Sequence, residues 1–414
     1  MFTIYNFIIQ LVSVLIVPLA FISKKIKKGV IGREKTFKFL KSSIKPKDQI
    51  FWFHCASLGE YEQGLPIFEF FKKKYPKVKI VLSFFSPSGY EIKKDNYLTP
   101  LTVYLPLDTK KNAINFIKIL NPKMAVFVKY ELWPNYLKIL SNCDAKVFLI
   151  SALFRPNHYF FKWYGRLLSK VLLTFDQIFT QDEDSKELLK SIGINEVSVC
   201  GDTRYDRVLQ QLEKKVNFES IEKFIDKKTC LIAGSTWQQD HELLIQYINK
   251  NPNKIKLIVV PHEINSKEII KLKNKFKNTA ELYSDFDNKS IHQKETLIVD
   301  CIGILKQLYK YANIAYVGGG MGNNGLHNSL EAAVYGIPII IGKNYKKFPE
   351  AVDMISNGGM KSVRNYKEFQ KCLNYFIDNK KVRQECGNKN KEFIVANKGA
   401  TQIINKKIEE FLKN

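Results

Sequence analysis

The residues of this chain best suited to acid–base chemistry stand directly after short apolar runs. The run Ile50–Cys55 (IFWFHC) is followed by the segment ASLGE, in which Ser57 and Gly59 precede Glu60. Small residues let the backbone turn tightly, and the helix start that follows suits a bound anion, so Ser57 and Gly59 are candidate substrate contacts. The Glu60 carboxylate has the chemistry of a general base for an acceptor hydroxyl. A plain helix-start residue that favours the helix dipole is the alternative interpretation of Glu60.

A second carboxylate, Glu131, follows the apolar run Met124–Val128 (MAVFV) in the same way. Pro134 fits the first turn of a following helix, and Trp133 is explained equally well as a core residue. A carboxylate at a strand end that faces a cleft is harder to explain by packing. We therefore take Glu131 as the second catalytic candidate.

Two glycine-containing turns in the second half of the chain suit phosphate binding. Ser235 and Thr236 follow the segment CLIAG, although short turns of this kind are common. A richer segment begins with Gly318, Gly319 and Gly320 after the run IAYV, where the missing side chains permit close backbone approach to a ligand. It lacks the acidic residue of a dinucleotide-binding fingerprint and the Lys-Ser/Thr of a phosphate-binding loop.

The helix predicted after these glycines carries candidates for holding a nucleoside. Asn328 and Glu331 stand three residues apart and are expected on one face of that helix, near its positive end. A glutamate there can accept both hydroxyls of a ribose while neighbouring amides hold phosphate. His327 is a candidate donor, and a hydrogen-bonded structural histidine is the alternative. A glycine-rich turn followed by such a helix is used by many nucleotide-sugar transferases.

Short apolar runs alternate with helical stretches along the chain, which predicts parallel strands joined by helices. The alternation restarts after a Lys- and Glu-rich stretch. We therefore expect an α/β fold of two doubly wound domains with a cleft between them, and ligands at the carboxyl ends of the strands. The predicted strands are 50–55, 80–85, 102–105, 124–128, 146–150, 177–180 and 197–200 in the first domain, and 230–233, 256–260, 296–299, 314–317 and 337–341 in the second.

The segment Phe2–Ile22 is apolar, carries no charge and forms a helix of roughly 30 Å, about the thickness of a bilayer core. Lysines follow at 24, 25, 27 and 28, so the positive-inside rule places the rest of the chain in the cytoplasm. We expect an anchor that spans or lies on the inner membrane. A cleaved signal peptide is the rival, but a basic n-region and a small-x-small cleavage site are not evident. The predicted organisation is an N-terminal anchor (1–28), a first domain (29–205), a linker (206–228), a second domain (229–395) and a C-terminal helix (396–414).

The formal net charge of +25 favours phosphate-bearing partners such as nucleotides or anionic lipids. Almost all of the surplus is lysine scattered among Asn and Ile, which reflects coding bias as much as a designed patch. Nucleic-acid readers favour arginine, so we expect no nucleic-acid partner. The seven cysteines are dispersed, without a CxxC pair or a Cys/His metal spacing. This pattern predicts reduced thiols and no metal site.

Seven motifs together resemble the 3-deoxy-D-manno-octulosonic acid (Kdo) transferases over essentially the full length, in that family's order. They are HCASLGE (54–60), YLPLD (104–108), ELWPN (131–135), SALF (151–154), GDTRYD (201–206), AGST (233–236) and GGGMGNNGLHNSLEAA (318–333). The resemblance implies a GT-B fold and transfer of Kdo from CMP-Kdo to a lipid A precursor. It also implies inversion at the anomeric carbon, without a metal or cofactor.

The resemblance assigns roles to individual residues. Glu60 matches the family's proposed catalytic base, and Glu131 matches a second acidic position in the acceptor half. The residues that match the CMP-binding half are Ser235, Thr236, Gly319, Asn328 and Glu331. The chain departs from the family at Lys129, where many members carry an acid, and beside Pro261, where an arginine is missing. We expect His262 to contact the donor instead.

Two rival hypotheses stay open at this point. The chain is alternatively another GT-B transferase that uses a UDP-sugar and a lipid carrier, which competition between CMP and UDP separates. It is alternatively a non-catalytic membrane module that binds anionic headgroups through its lysines. That module would leave Glu60, Glu131 and the glycine-rich turn without a purpose.

Overall fold

The computed structural model describes residues 2–162, 165–213, 216–277, 279–285 and 291–413. The chain forms two compact units, one of Met1–Arg207 with Lys398–Asn414 and one of Val208–Asn397. Each unit is built on a seven-stranded sheet with helices between the strands. The predicted α/β fold of two Rossmann-like domains is therefore confirmed.

The first unit contains a parallel sheet buried on both faces. Its strands are β1 (Ile50–Cys55), β2 (Lys79–Phe84), β3 (Thr102–Tyr104), β4 (Met124–Val128), β5 (Lys146–Ala152), β6 (Gln177–Thr180) and β7 (Val197–Val199). The helices are α1 (Phe2–Ile22), α2 (Lys24–Ser43), α3 (Leu58–Lys74), α4 (Pro87–Lys93), α5 (Lys110–Leu120), α6 (Pro134–Leu140), α7 (Arg166–Val171), α8 (Glu183–Lys190) and the start of α9 (Thr203–Leu212), whose residues from Val208 onward belong to the second unit. The strand order is β3-β2-β1-β4-β5-β6-β7. Strands β1 and β4 are buried along their whole length, as expected for a parallel sheet covered by helices.

Aromatic side chains fill both faces of this sheet. On one face Trp52 packs edge-on against Phe116 and Phe127, with ring centroids 5.1 and 5.0 Å apart. On the other face Phe53 stacks on Phe68 of α3 at 4.3 Å. Because successive side chains of a strand alternate between faces, His54 lies on the same side of the sheet as Trp52.

The second unit repeats the architecture. Its strands are β8 (Cys230–Thr236), β9 (Lys256–Pro261), β10 (Ala280–Leu282), β11 (Thr296–Ile298), β12 (Ile314–Val317), β13 (Ile339–Gly342) and β14 (Met360–Val363). The helices are α10 (Glu219–Ile225), α11 (Gln238–Lys250), α12 (Ser266–Asn274), α13 (Leu305–Leu308), α14 (Leu330–Ala333), α15 (Pro349–Ser356), α16 (Tyr366–Asp378) and α17 (Lys380–Ala396). The strands are parallel in the order β10-β11-β9-β8-β12-β13-β14.

The C-terminal helix α18 (Ala400–Lys413) belongs to the first unit, where it packs against α3 and β5. Ile404 and Ile408 enter the core beside Phe53. The Asp206 carboxylate accepts hydrogen bonds from the backbone N–H groups of Gly399 and Thr401, each at 2.7 Å. Asp206, the last residue of the GDTRYD motif, therefore satisfies donors at the start of α18.

Helix α1 is held to the first unit along one face. Tyr5 donates a hydrogen bond to Asp108 Oδ2 at 2.7 Å, and the Asn135 amide donates to Asn6 Oδ1 at 2.7 Å. The buried Asp108 carboxylate also accepts from the backbone N–H groups of Asn135 and Tyr136 at the start of α6, each at 3.0 Å. Exposed apolar side chains elsewhere on α1 include Ile4, Phe7, Ile8, Leu11, Val14 and Leu15. Among the described residues, α1 is the one helix long and apolar enough to cross a membrane.

The predicted strands are confirmed, with ends that differ by up to three residues. Strands β10 and β14 were not predicted. Both are edge strands of three or four residues with charged side chains in them, so neither forms an apolar run. The predicted linker, 206–228, holds most of α9 and all of α10.

Candidate functional site

The acidic candidates of the first unit follow adjacent strands at the point where the strand order reverses. Strand β1 pairs with β2 on one side and with β4 on the other, so consecutive connections leave in opposite directions. In open α/β sheets this switch point opens a crevice at the carboxyl ends of the strands. Glu60 follows β1 and Glu131 follows β4, which brings the two carboxylates to the same crevice.

Glu60 closes a reciprocal cap at the start of α3. The Ser57 hydroxyl accepts from the Glu60 backbone N–H at 3.5 Å, and the Glu60 carboxylate accepts from the Ala56 N–H through Oε2. The arrangement differs from a capping box by one residue, because the carboxylate accepts from the N–H of Ala56 rather than from that of the N-cap residue Ser57. The structure therefore agrees with the interpretation of Glu60 as a helix-start residue. The carboxylate also has a second oxygen, Oε1, that could act on a substrate.

The surroundings of Glu60 also suit proton transfer. Burial raises the pKa of Glu60 to about 7, with a further contribution from the negative charge of Glu131. The Ala56 N–H and the positive charge of Lys129 act in the opposite direction. A pKa near the working pH is what a general base needs, because the group is then both available and basic. Capping and general-base chemistry are compatible in this one side chain.

Glu131 is largely buried and lies among ring nitrogens. Its Oε2 is 3.3 Å from His54 Nε2 and 3.0 Å from Trp133 Nε1, and the two nitrogens are 2.9 Å apart. The other ring nitrogen of His54 lies 2.8 Å from the Ser83 hydroxyl. The sequence alone did not single out His54 or Ser83, and it left a core position open as one explanation of Trp133. A histidine inside the apolar run IFWFHC was the available signal, because a buried polar side chain needs partners.

The candidate residues of the second unit gather at the corresponding switch point, between β8 and β12. Ser235 adopts a left-handed backbone conformation, with φ +53°, where the register of β8 against β9 is interrupted. Thr236 ends β8, so these residues lie at a strand end rather than in the separate turn that was predicted. The Thr236 hydroxyl is 2.9 Å from His241 Nε2.

The three glycines after β12 are required by close backbone contacts. A Cβ on Gly318 would lie 2.5 Å from the carbonyl oxygen of Ser235, and Gly319 has φ +90°. Gly320 packs directly on Gly342, where a Cβ on the latter would lie 2.2 Å from the Gly320 carbonyl carbon. Side chains at these positions would push the turn away from its neighbours.

Asp240 of α11 holds this glycine turn in place and was missed in the sequence. Its carboxylate accepts from the backbone N–H groups of Gly319 and Trp237, each at 2.9 Å, and from the Tyr316 hydroxyl at 2.6 Å. The three donors come from β12, the glycine turn and the start of α11. One buried carboxylate therefore fixes the turn relative to two neighbouring elements.

Two candidate histidines form a stack with Trp237. The His262 ring lies 4.8 Å from Trp237 and 4.2 Å from His327, and Trp237 donates to His327 Nε2 at 2.8 Å. Burial lowers the pKa of His262, and burial with the nearby His262 lowers the pKa of His327 to about 4. Because their pKa values are lowered, both rings are neutral near pH 7. A neutral His327 accepts the Trp237 hydrogen bond through Nε2, and its other ring nitrogen can still make a polar contact.

Asn328 and Glu331 are close together, but the helix prediction for Asn328 is wrong. Helix α14 begins at Leu330, and the Asn328 side chain accepts from the Leu330 N–H at 3.2 Å. The Asn328 amide donates to Glu331 Oε1 at 3.2 Å, and Lys306 Nζ lies 3.5 Å from the same oxygen. An asparagine favours such a cap over a helix interior because its side chain bonds nearby backbone groups.

Among the described residues, no group of three or more His, Cys, Asp or Glu side chains is arranged to hold a metal ion. The seven cysteines, all described, form no disulfide.

The fold places the chain in a known class. A UDP-GlcNAc 2-epimerase from Neisseria meningitidis solved with UDP-GlcNAc matches 89% of this chain and 100% of its own, with a TM-score of 0.59 and 17% identity. A glycosyltransferase from Rickettsia africae matches 89% and 98%, with a TM-score of 0.56 and 13% identity. Two Rossmann-like domains with strand-end sites in each define a protein of GT-B fold.

Sequence comparison gives the family. Residues 32–207 match the profile of the 3-deoxy-D-manno-octulosonic-acid transferase (kdotransferase) family. The 3-deoxy-D-manno-octulosonic acid transferase of Aquifex aeolicus is 30% identical over 336 residues, which are 78% of this chain and 84% of that protein. The enzyme of the same name from Haemophilus influenzae is 25% identical over 386 residues, 89% and 88% of the two chains. The chain belongs to this family and is a glycosyltransferase.

A longer relative carries a second activity in its name. The bifunctional glycosyltransferase/methyltransferase of Fusobacterium nucleatum is 29% identical over 361 residues, which are 83% of this chain and 55% of that protein. The chain therefore spans about half the length of that relative.

The electrostatics of Glu60 predict the pH dependence of transfer. The ionised carboxylate is the form that takes a proton, so kcat/KM should rise about tenfold per pH unit below the Glu60 pKa of about 7 and level off above it. Glu131→Gln removes a charge that raises this pKa and should move the midpoint to lower pH. Lys129→Gln removes a charge that lowers it and should move the midpoint upward.

The measurement is the pH profile of kcat/KM for the wild type and both variants. Opposite shifts are expected even where the maximal rates fall. Midpoints that stay unchanged, or that move in the same direction, would remove Glu60 as the titrating base.

Proposed function

We propose that the chain transfers Kdo from CMP-Kdo to a hydroxyl of a lipid A precursor of the lipid IVA type, in lipopolysaccharide core biosynthesis. The observation that carries this proposal is Glu60, a capped carboxylate with a pKa of about 7 beside Glu131 at the switch point of the first sheet. Membership of the Kdo transferase family supports Kdo as the sugar. CMP as its carrier is what the resemblance of the glycine-rich and AGST motifs to that family implies.

The reaction that this geometry suits is a direct displacement. Glu60 removes the proton from the acceptor hydroxyl while that oxygen bonds to the anomeric carbon. The bond from the anomeric carbon to the phosphate oxygen breaks at the same time, and CMP leaves as a phosphate monoester. Attack opposite the leaving group inverts the anomeric configuration. Glu131 is the second carboxylate at this centre.

Donor binding is assigned to the second unit. The backbone amides of Gly318, Gly319 and Gly320 and the strand-end residues Ser235 and Thr236 suit the single phosphate of CMP-Kdo. Its negative charge is smaller than that of a pyrophosphate, so we propose that no metal is needed.

The remaining donor contacts are assigned by chemistry and position. Glu331, beside Asn328 and Lys306, suits the two ribose hydroxyls. The neutral rings of His262 and His327 offer polar contacts to the donor near the same strand ends.

The function is tested by incubating the purified full chain with CMP-Kdo and a tetra-acylated lipid A precursor. Mass spectrometry should show product that has gained Kdo, in the presence of EDTA as well as without it. CMP should inhibit and UDP should not. Inhibition by UDP alone, with no Kdo product, would support the rival UDP-sugar transferase, and loss of activity with EDTA would refute metal independence.

Two substitutions should separate chemistry from donor binding. Glu60→Gln keeps an acceptor for the Ala56 N–H but takes no proton, so turnover should fall by about 10²–10⁴-fold with CMP affinity unchanged. Glu331→Ala removes a charged acceptor and should weaken CMP binding by on the order of 1–3 kcal/mol.

Calorimetric titration with CMP and turnover measurements decide between these outcomes, with melting curves as the control for folding. A Glu60→Gln enzyme that turns over like the wild type would sink the general-base assignment. A larger loss of CMP affinity at Glu60 than at Glu331 would mean that the two units are assigned wrongly.

We also propose that α1 attaches the chain to the inner leaflet of the cytoplasmic membrane, with the two units in the cytoplasm. Tyr5 and Asn6, near the start of α1, are hydrogen-bonded to the first unit, and the chain that follows the end of α1 enters the same unit. Both ends of the helix are therefore on the same side of the membrane, which supports a helix that lies on the membrane rather than one that crosses it. Its exposed apolar side chains suit the acyl region, and the lysines at 24, 25, 27 and 28 suit anionic headgroups.

Removal of residues 1–22 should leave a folded protein that transfers to a detergent-dispersed acceptor but works poorly on vesicles. The helix supplies proximity to the acceptor rather than a reacting group. Tyr5→Phe is the matched control, because it removes the bond to Asp108 and keeps the apolar surface.

Co-sedimentation with vesicles containing phosphatidylglycerol, together with the transfer rate on them, measures the effect. The truncated chain should lose binding and Tyr5→Phe should keep it. Equal binding by the truncated chain would show that α1 is not the membrane contact.

A further inference from the structure

A cavity of about 460 Å³ lies in the first unit between α1 and the start of α5. Its polar lining residues are Asn6, Gln10, Thr109, Lys110, Lys111 and Asn115. Ile114, which is 40% exposed, adds an apolar side chain to the wall. The volume is in the range of small-molecule sites, roughly 300–1,000 Å³. The cavity therefore has room for a polar headgroup together with part of an apolar chain.

Two lysines make the surroundings of this cavity positive. Lys110 and Lys111 are exposed, and no carboxylate among the described residues pairs with either of them. The neighbouring acid, Asp108, is fully buried, and its carboxylate accepts from the Tyr5 hydroxyl and from two backbone N–H groups of α6. The two ammonium groups are therefore available to a ligand, and their charge favours an anion.

The Asn6 side chain offers hydrogen-bond donors to the same space. The Asn135 side-chain nitrogen donates to the Asp108 carbonyl oxygen at 2.6 Å and to Asn6 Oδ1 at 2.7 Å. Because Asn6 Oδ1 is the acceptor in that bond, the Asn6 side-chain nitrogen keeps its two N–H groups for another partner. Gln10 follows one helical turn later on α1 and lines the cavity beside it. Helix α1 thus adds donors to the two lysines, as a bound anion requires.

The cavity lies at the same edge of the first sheet as the two candidate carboxylates. Helix α5 follows β3, and β3 is two strands from β1, so the ends of these strands are roughly 10 Å apart. Asn135, which bonds Asn6, belongs to the segment ELWPN (131–135) that begins with Glu131. One substrate molecule can therefore place a hydroxyl at Glu60 and an anionic group in the cavity.

We propose that this cavity binds a phosphate group of the lipid acceptor through Lys110, Lys111 and the Asn6 amide. The acyl chains then leave past Ile114 along the exposed apolar side of α1. The proposal rests on the proposed function, whose acceptor it describes more closely. It gives α1 a second role, because the helix contributes a wall of the acceptor site as well as membrane attachment.

The first experiment measures acceptor binding without donor, on the full chain in a neutral detergent, by native mass spectrometry. The two ligands are the tetra-acylated lipid A precursor with its phosphates and the same lipid after phosphatase treatment. The wild type should bind the phosphorylated lipid about tenfold more tightly, the effect expected of a charge-assisted hydrogen bond. Equal affinities would overturn the proposal.

The double variant Lys110→Gln/Lys111→Gln should bind the two lipids equally, because it lacks the charges that distinguish them. In transfer assays its KM for the phosphorylated acceptor should rise about tenfold, with kcat and the KM for CMP-Kdo unchanged. The matched control is Lys380→Gln/Lys381→Gln, which removes two adjacent exposed lysines from the first turn of α17 in the second unit. The control should behave as the wild type does.

Asn6→Asp tests the wall formed by α1. It keeps an oxygen for the Asn135 amide but replaces the two N–H donors with a negative charge. Binding of the phosphorylated lipid should weaken, and binding of the dephosphorylated lipid should change little. Equal weakening for both lipids would contradict a phosphate contact at Asn6. Melting curves check that each variant is folded.

The outcomes distinguish this proposal from the function on which it rests. If the wild type binds the phosphorylated lipid selectively but transfers no Kdo, the proposed function fails and the cavity assignment stands. If transfer is normal but independent of the acceptor phosphate, the cavity assignment alone is wrong. If the lysine variant binds both lipids as the wild type does but no longer sediments with phosphatidylglycerol vesicles, the cavity holds a phospholipid headgroup, which also overturns the proposal.

Discussion

Parallel strands that are covered by helices on both faces can hold polar side chains in quantity only near their ends. In this chain β1 and β4 are buried throughout, so the carboxylates that follow them are forced to the carboxyl edge of the sheet. The order reversal between β1 and β4 then prevents a helix from covering that edge. The same constraint acts between β8 and β12 in the second unit. Every candidate residue of the site depends on this property of the two sheets.

In the first unit, Glu60 has a structural role at the start of α3 and is also the residue to which we assign the proposed acid–base chemistry. Glu60 closes the cap of α3, which fixes its rotamer without a dedicated support. The same fixed position keeps it buried near Glu131, and this raises its pKa to about 7. Folding therefore brings two carboxylates close together despite their repulsion, and the resulting pKa near neutral pH is what the proposed general base requires.

The second unit uses a buried carboxylate differently. Asp240 binds two backbone N–H groups and the Tyr316 hydroxyl, and so gives the glycine turn one conformation. Glycines such as Gly319 are otherwise free to adopt many conformations. A turn that is fixed before a phosphate arrives loses less entropy on binding. In the proposed donor site, the glycines leave room for a ligand, and Asp240 keeps their backbone in one conformation.

The amino-acid sequence by itself determined the two α/β domains, most strand positions and the placement of Glu60, Glu131 and the three glycines at strand ends, because each depends on local apolar runs and on the residues next to them. Only the tertiary structure decided which strand ends are neighbours, and therefore that Glu131 lies beside His54, 77 residues away in the chain. It also decided that the Ser83 hydroxyl contacts His54, that Asp240 bonds the glycine turn, that Asn328 precedes α14 instead of lying in it, and that α18 returns to the first unit. These facts depend on contacts between distant segments. Such contacts leave no periodicity in the sequence. A serine or an aspartate is the same letter in the sequence whether or not the fold places a hydrogen-bond partner beside it.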